Sequence, residues 1–178
     1  MKRVLALRLS SMGDVLLTLP VLRGVLDSNP DLEILFVTRK RFAPYFADID
    51  RLIVISFHPE GKHKGFLGLL RLYRETQAYQ FSDVIDLHGI LRTRVLDFLY
   101  FINRKPVYTV KKHRRLRKRL LRDHASPERV PHAVDRYLSV FKQAGITGVL
   151  CRQVFPVGVN PFEKQREGIT ARVGMAPL

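Results

Sequence analysis

The chain has 178 residues, 46% of them hydrophobic and 26% charged, with only 11 Gly and 10 Pro, which excludes a wholly disordered or fibrous protein and leaves room for one domain or slightly more. Its formal net charge is +15, and ten of its cations fall between Arg104 and Arg122 with no acid among them, so an anionic partner is expected: nucleic acid, a phosphorylated lipid or a membrane surface. A single cysteine, Cys151, excludes an internal disulfide and cannot alone build a zinc site, and no uncharged apolar run approaches the roughly 18 residues of a spanning helix, so neither a transmembrane span nor a signal peptide is expected and the cytoplasm is the simplest compartment.

In chain order, residues 4–9 read as a buried strand and 15–26 as a helix that Pro20 bends or divides, because proline removes one backbone donor and clashes with the preceding turn. Strands follow over 33–38 and 52–55, with a short helix over 42–46 between them. The stretch 66–79 reads as a helix with Phe66, Leu69, Leu70, Tyr73 and Gln77 on one face. Next come a strand over 82–87, a helix over 91–102 and a strand over 107–110. The basic stretch 111–122 and the segment 133–144 follow as helices, the second ended by Gly145. This alternation predicts an α/β fold, a Rossmann-like doubly wound parallel sheet with helices on both faces, over residues 1–152. Residues 153–168 are Pro-rich and charged and read as a linker, and 169–178 as the first strand of a second domain; an edge strand completing the first sheet is the alternative.

Two turns carry the polar chemistry. Ser10-Ser11-Met12-Gly13-Asp14 follows the first strand directly, where open parallel sheets place ligands. It is neither a G-x-G-x-x-G dinucleotide fingerprint nor a P-loop. A carboxylate there can take a proton from an attacking sugar hydroxyl, and Ser11-x-x-Asp14 also matches a capping box, so Asp14 reads as base, as cap or as both. The second turn, Asp86-Leu87-His88-Gly89 with Arg92 and Arg94, opens onto the same rim after the fourth strand. Its arginines can meet an anion, while the structural alternative has Asp86 bonding turn amides, His88 capping or facing water and both arginines solvated.

In the basic run, Leu116 and Leu120 lie one helical turn apart and charge covers the other faces, as in a helix lying on an anionic membrane; nucleic-acid phosphates or a solvated face are the alternatives. No aromatic side chain for base stacking interrupts it, and Tyr108 lies just outside. His132, followed by Asp135 and Arg136, reads as a helix start and not as a catalytic group.

The run from Val4 to Val15, with Thr18-Leu19-Pro20-Val21-Leu22, resembles the amino-terminal signature of bacterial lipopolysaccharide heptosyltransferases, glycosyltransferase family 9. Asp83 to Gly89 with Arg92-Thr93 is similar to the family's second segment, His132 to Tyr137 to its His-containing helix start, and Val173 to Pro177 to the first strand of its second domain. The resemblance implies the N-terminal, acceptor-binding half of a two-domain GT-B glycosyltransferase, inactive by itself, that transfers heptose with inversion from ADP-heptose to the lipopolysaccharide inner core. It implies Asp14 as general base, Ser11, Met12 and Gly13 near the donor phosphates, and His88, Arg92, Arg94, Arg114, Arg115 and Lys118 toward a phosphorylated lipid A-Kdo or core acceptor. No cofactor and no metal are expected, nucleic acid is not an expected partner, and the protein is expected at the cytoplasmic face of the inner membrane. The alternative reading is a noncatalytic α/β module that binds anionic membrane or nucleic acid through residues 111–122.

Overall fold

The computed structural model describes residues 1–113, 119, 122 and 129–151. Five parallel strands form its sheet: β1 (Lys2–Leu7), β2 (Leu32–Arg39), β3 (Leu52–Phe57), β4 (Asp83–Asp86) and β5 (Val107–Thr109), in the order β3-β2-β1-β4-β5. Central β1 is paired on both sides, with Ala6 opposite Phe36 of β2 and Ile85 of β4. Successive side chains of a strand point to opposite faces, and these strands are apolar at consecutive positions because both faces are covered. Val4, Ala6, Ile34, Phe36 and Ile85 enter one core layer, while Leu5, Leu7, Leu35, Val37 and Val84 enter the other.

Helices α1 (Met12–Leu16), α2 (Leu19–Ser28) and α5 (Ala133–Gln143) close the first layer through Val15, Leu22, Val25, Val140 and Phe141. Helices α3 (Gly65–Gln77) and α4 (Leu91–Ile102) close the second through Leu69, Leu72, Leu96 and Tyr100. A 3-10 turn, Lys40–Phe46, links β2 to β3. The doubly wound α/β sheet expected from the alternation is the fold observed. Strand order reverses between β1 and β4, and such a switch point is where open α/β sheets hold ligands, outside the carboxyl ends of the strands.

Several local expectations are corrected. The single helix over 15–26 is two: α1 starts three residues earlier, the chain breaks at Leu17–Thr18, and Pro20 sits in the first turn of α2, where its missing N–H is no loss. In α3 the buried residues are Gly68, Leu69, Leu72 and Thr76, so the inward face is rotated from the expected one and Phe66 is exposed. Gly68 sets that rotation: a Cβ there would lie 2.2 Å from the His63 carbonyl carbon, so only glycine lets the helix approach the preceding loop. Strand β1 ends at Leu7, although Leu9 stays buried. Most of the expected basic helix over 111–122, the linker over 153–168 and the strand over 169–178 lie outside the described residues.

Candidate active site at the carboxyl ends of β1 and β4

Two chain reversals build the site. After β1 the chain leaves the sheet and starts α1 at Ser11, whose backbone is extended, as an N-cap requires. Ser11 makes no side-chain cap; its hydroxyl instead donates to Asp14 Oδ2 at 3.0 Å, so the expected capping box is not formed. After β4 the chain turns through Gly89, which holds a left-handed φ of 59°, and enters α4. Asp86 fixes that turn: its Oδ1 accepts from the backbone N–H groups of His88 at 2.8 Å and Gly89 at 2.9 Å.

Between the turns lies a pocket of about 420 Å³ lined by Arg8, Asp14, His88, Lys112, Arg136 and Tyr137 among others, a volume in the range of small-molecule sites. Arg8 ties it together. One guanidinium nitrogen is 2.5 Å from Asp14 Oδ2, the other donates to the Leu87 carbonyl at 2.6 Å, and the plane stands over the Tyr137 ring at 5.5 Å. The arginine side chain is 9% exposed and the aspartate 42%, so the cation is fixed from behind and the carboxylate faces outward. Charge-assisted bonds of this kind are strong and directional.

The other members are conditioned by this charge. Burial, then the cations of Arg8 and Lys112, push the His88 imidazole down to about 4, so it is neutral at pH 7. Its Nδ1 is buried without a hydrogen-bond partner among the described residues. Burial raises the Tyr137 phenol, with the Asp14 charge adding to it, so Tyr137 stays protonated and donates to the Asp14 carbonyl at 3.5 Å. Behind the second turn, Asp97 is pushed up to about 8 by burial and then by the charge of nearby Asp86. Among the described residues no group of three or more His, Cys, Asp or Glu is placed to hold a metal ion.

The pocket is the meeting point of two loops separated by more than 70 residues, on a parallel sheet whose crossovers cover both faces. Solved structures with a similar fold include the glycosyl transferase family 9 from Veillonella parvula DSM 2008, with a TM-score of 0.64 and 22% identity over 98% of this chain and 51% of that one. E. coli heptosyltransferase WaaC with ADP matches at 0.58 and 22%, over 83% of this chain and 49% of its own. The same enzyme with ADP-2-deoxy-2-fluoro heptose matches at 0.60 and 21%, over 90% and 56%.

The chain has their fold.

It spans about half the length of these glycosyltransferase structures. No protein-family model and no curated protein matches the sequence. Asp14 and His88 come together in the pocket, and His88 is buried and does not face water. Met12 and Gly13 open α1 and are exposed. Arg92 and Arg94 are also exposed but lie outside this pocket: Arg92 lines an apolar groove beside Phe66, and Arg94 a depression with Thr109 and Lys111. Arg114, Arg115 and Lys118 lie outside the described residues. His132 is the N-cap of α5 and accepts from the Val134 N–H at 3.5 Å, a structural role as expected. Arg8, Tyr137 and Asp97 are the site residues that pattern reading passed over.

Proposed function

We propose that this chain is the acceptor-binding half of a family 9 glycosyltransferase, with Asp14 as the general base of an inverting transfer from ADP-heptose to a phosphorylated Kdo-lipid A or inner-core acceptor. The observation that carries the reading is a half-exposed carboxylate fixed by a buried arginine at the switch point of a parallel sheet. In this reaction an acceptor hydroxyl loses its proton to Asp14 as its oxygen attacks the anomeric carbon; the bond from that carbon to the diphosphate breaks and ADP departs. Arg8 and Ser11 both bond Oδ2, which leaves Oδ1 to take the proton. Neutral His88, with so low a proton affinity, serves as a hydrogen-bonding group beside the acceptor and not as a rival base. Arg136 and Lys112 give the pocket the positive charge that a phosphorylated acceptor needs.

Transfer needs a second wall to hold the donor. A protein joining this chain to a nucleotide-sugar-binding half is therefore expected to form a heptosyl-Kdo product from ADP-heptose, read by mass spectrometry. The 178-residue chain alone is expected to bind the Kdo acceptor and to bind ADP-heptose weakly. No product from a folded two-half protein overturns the reaction; tight, saturable ADP-heptose binding by the chain alone, read by calorimetry, overturns the division of labour.

A further inference from the structure

Helix α4 is apolar on both sides. Leu96 and Tyr100 are fully buried against the sheet. On the opposite side Leu91, Phe98, Phe101 and Ile102 are between 59 and 84% exposed. Positions 91, 98 and 102 recur after two turns and then one, so they form a single outward row, with half-buried Val95 filling the gap. The outward face of a surface helix ordinarily carries polar residues, so a contiguous row of Leu, Phe and Ile marks a contact surface. The start of α3 extends it: Phe66 and Leu67 are exposed, and Phe66, Leu91 and Val95 line an apolar groove of about 420 Å³ between the two helix starts.

Charge around the row is of one sign. The exposed charged residues of α3, α4 and the turn after α4 are Arg71, Arg74, Arg92, Arg94 and Arg104. Glu75, the one acid of α3, is engaged by Lys62 at 2.8 Å, His63 at 3.1 Å and Arg71 at 3.6 Å, which leaves Arg74, Arg92, Arg94 and Arg104 unbalanced by any acid of these helices, and Asp97, the one acid of α4, is buried. A second copy of the chain meeting this face about a two-fold axis would set arginines against arginines. A body closing over the strand ends would cover Leu91 and miss Ile102, which lies about 16 Å further along the helix axis. An anionic bilayer satisfies both features, because its acyl boundary takes the apolar row and its phosphates take the arginines.

We propose that the outer face of α3 and α4 is a membrane-docking surface, with Leu91, Phe98, Phe101 and Ile102 entering the acyl boundary of an anionic glycerophospholipid leaflet and Arg92 and Arg94 held at its phosphates. The surface is made of residues other than those of the basic segment over 111–122, and it stands whether or not the chain takes part in heptose transfer.

The chain contains no tryptophan, so Phe98→Trp gives a single reporter on the row and Gln143→Trp, on α5 across the sheet, a single control. On addition of vesicles of equal parts phosphatidylcholine and phosphatidylglycerol, the emission of the Phe98→Trp reporter is expected to shift to the blue and to be quenched by brominated lipid, while the control stays unchanged. The triple change of Leu91, Phe98 and Ile102 to Ser is expected to weaken vesicle binding at least about tenfold, since each exposed side chain loses a burial worth a large factor in affinity. All three positions are exposed, so its melting curve is expected to match the parent's; should it not fold, the tryptophan pair decides. An unchanged reporter signal on bound vesicles, or parental vesicle binding by a folded triple variant, overturns the proposal. So does self-association of the parent that the triple change abolishes, without vesicle binding, because the occupant is then a second copy.

Discussion

Asp14, in the first turn of α1, and Asp86, the last residue of β4, lie at the same rim of the sheet beyond neighbouring parallel strands, yet their surroundings assign them opposite work. Asp86 is fully buried, and its carboxylate is consumed by the amides of His88 and Gly89. Asp14 is half exposed, and its partners are side chains, Arg8 and Ser11, that hold it in place without closing it off. A carboxylate that organises its own turn is scaffolding; one that another residue organises is available to a ligand. The difference lies in where the N–H groups of the turn point, which residue type alone does not reveal.

The sharpest way to break this contrast is Asp14→Asn in a protein that contains both halves. Asparagine keeps the size but cannot accept the proton, and general base catalysis contributes roughly 10²–10⁴-fold, so single-turnover heptose transfer is expected to fall at least ~100-fold with the melting temperature nearly unchanged. Transfer within a few-fold of the parent would make Asp14 a structural group like its neighbour. The reciprocal change, Asp86→Ala, strands two amide donors, the buried one of His88 and the half-buried one of Gly89, and is expected to cost about 2–4 kcal/mol, seen as a melting temperature lowered by several degrees. Parental stability combined with lost acceptor affinity would exchange the two roles.

Titration separates the turns as well. With its carboxyl pushed up to about 8 by burial and by Asp86, Asp97 keeps in the folded state a proton that the unfolded chain releases near 4. Its stabilisation is complete below that lower value and is lost as pH rises toward 8. His88, pushed down to about 4 by burial and Arg8, works the other way: its contribution is present above 6.5 and is lost as pH falls toward 4. Between pH 6.5 and 8 the Asp97 effect stands without that opposition, so denaturant-derived stability is expected to decline with rising pH by up to about 1.4 kcal/mol per unit. Asp97→Asn is expected to flatten this decline. A slope that survives the substitution would show that the proton is not on Asp97.

Much of this was legible in advance, for reasons that differ by residue. Continuous apolar runs such as Val4 to Leu7 and Ile34 to Val37 announce strands covered on both faces, and the alternation with helices then fixes the topology. Asp14 and His88 were visible because they follow strands directly. Arg8 was not: a cation at the end of an apolar strand looks like a solvated rim residue, and its burial follows from partners contributed by Asp14, Leu87 and Tyr137. Tyr137 enters the site from α5, more than 120 residues after Asp14, a juxtaposition no local pattern records. Asp97 occupies what reads as a polar position of an amphipathic helix, and only the packing of α4 against β4 and β5 buries it. The rotated face of α3 follows from Gly68, whose role is defined by the approach of His63.

The smallest effect tests how Asp14 is held. Its two side-chain partners differ in environment: the Arg8 guanidinium is buried and also anchored on the Leu87 carbonyl, whereas the Ser11 hydroxyl is exposed and water competes for the bond it donates. A neutral hydrogen bond contributes roughly 0.5–1.5 kcal/mol net, and exposure places this one at the low end, so Ser11→Ala is expected to reduce transfer by no more than about threefold. The N-cap should suffer little, because Ser11 makes no side-chain cap that alanine would remove, and its extended backbone is open to either residue. Melting curves of the variant and parent are therefore expected to overlay, and the transfer rate is the discriminating measurement. A loss approaching that of Asp14→Asn would mean that the hydroxyl, and not the arginine, sets the carboxylate's position. Asp14 would then be held from its own turn, as Asp86 is, and the contrast between the two turns would narrow to their exposure.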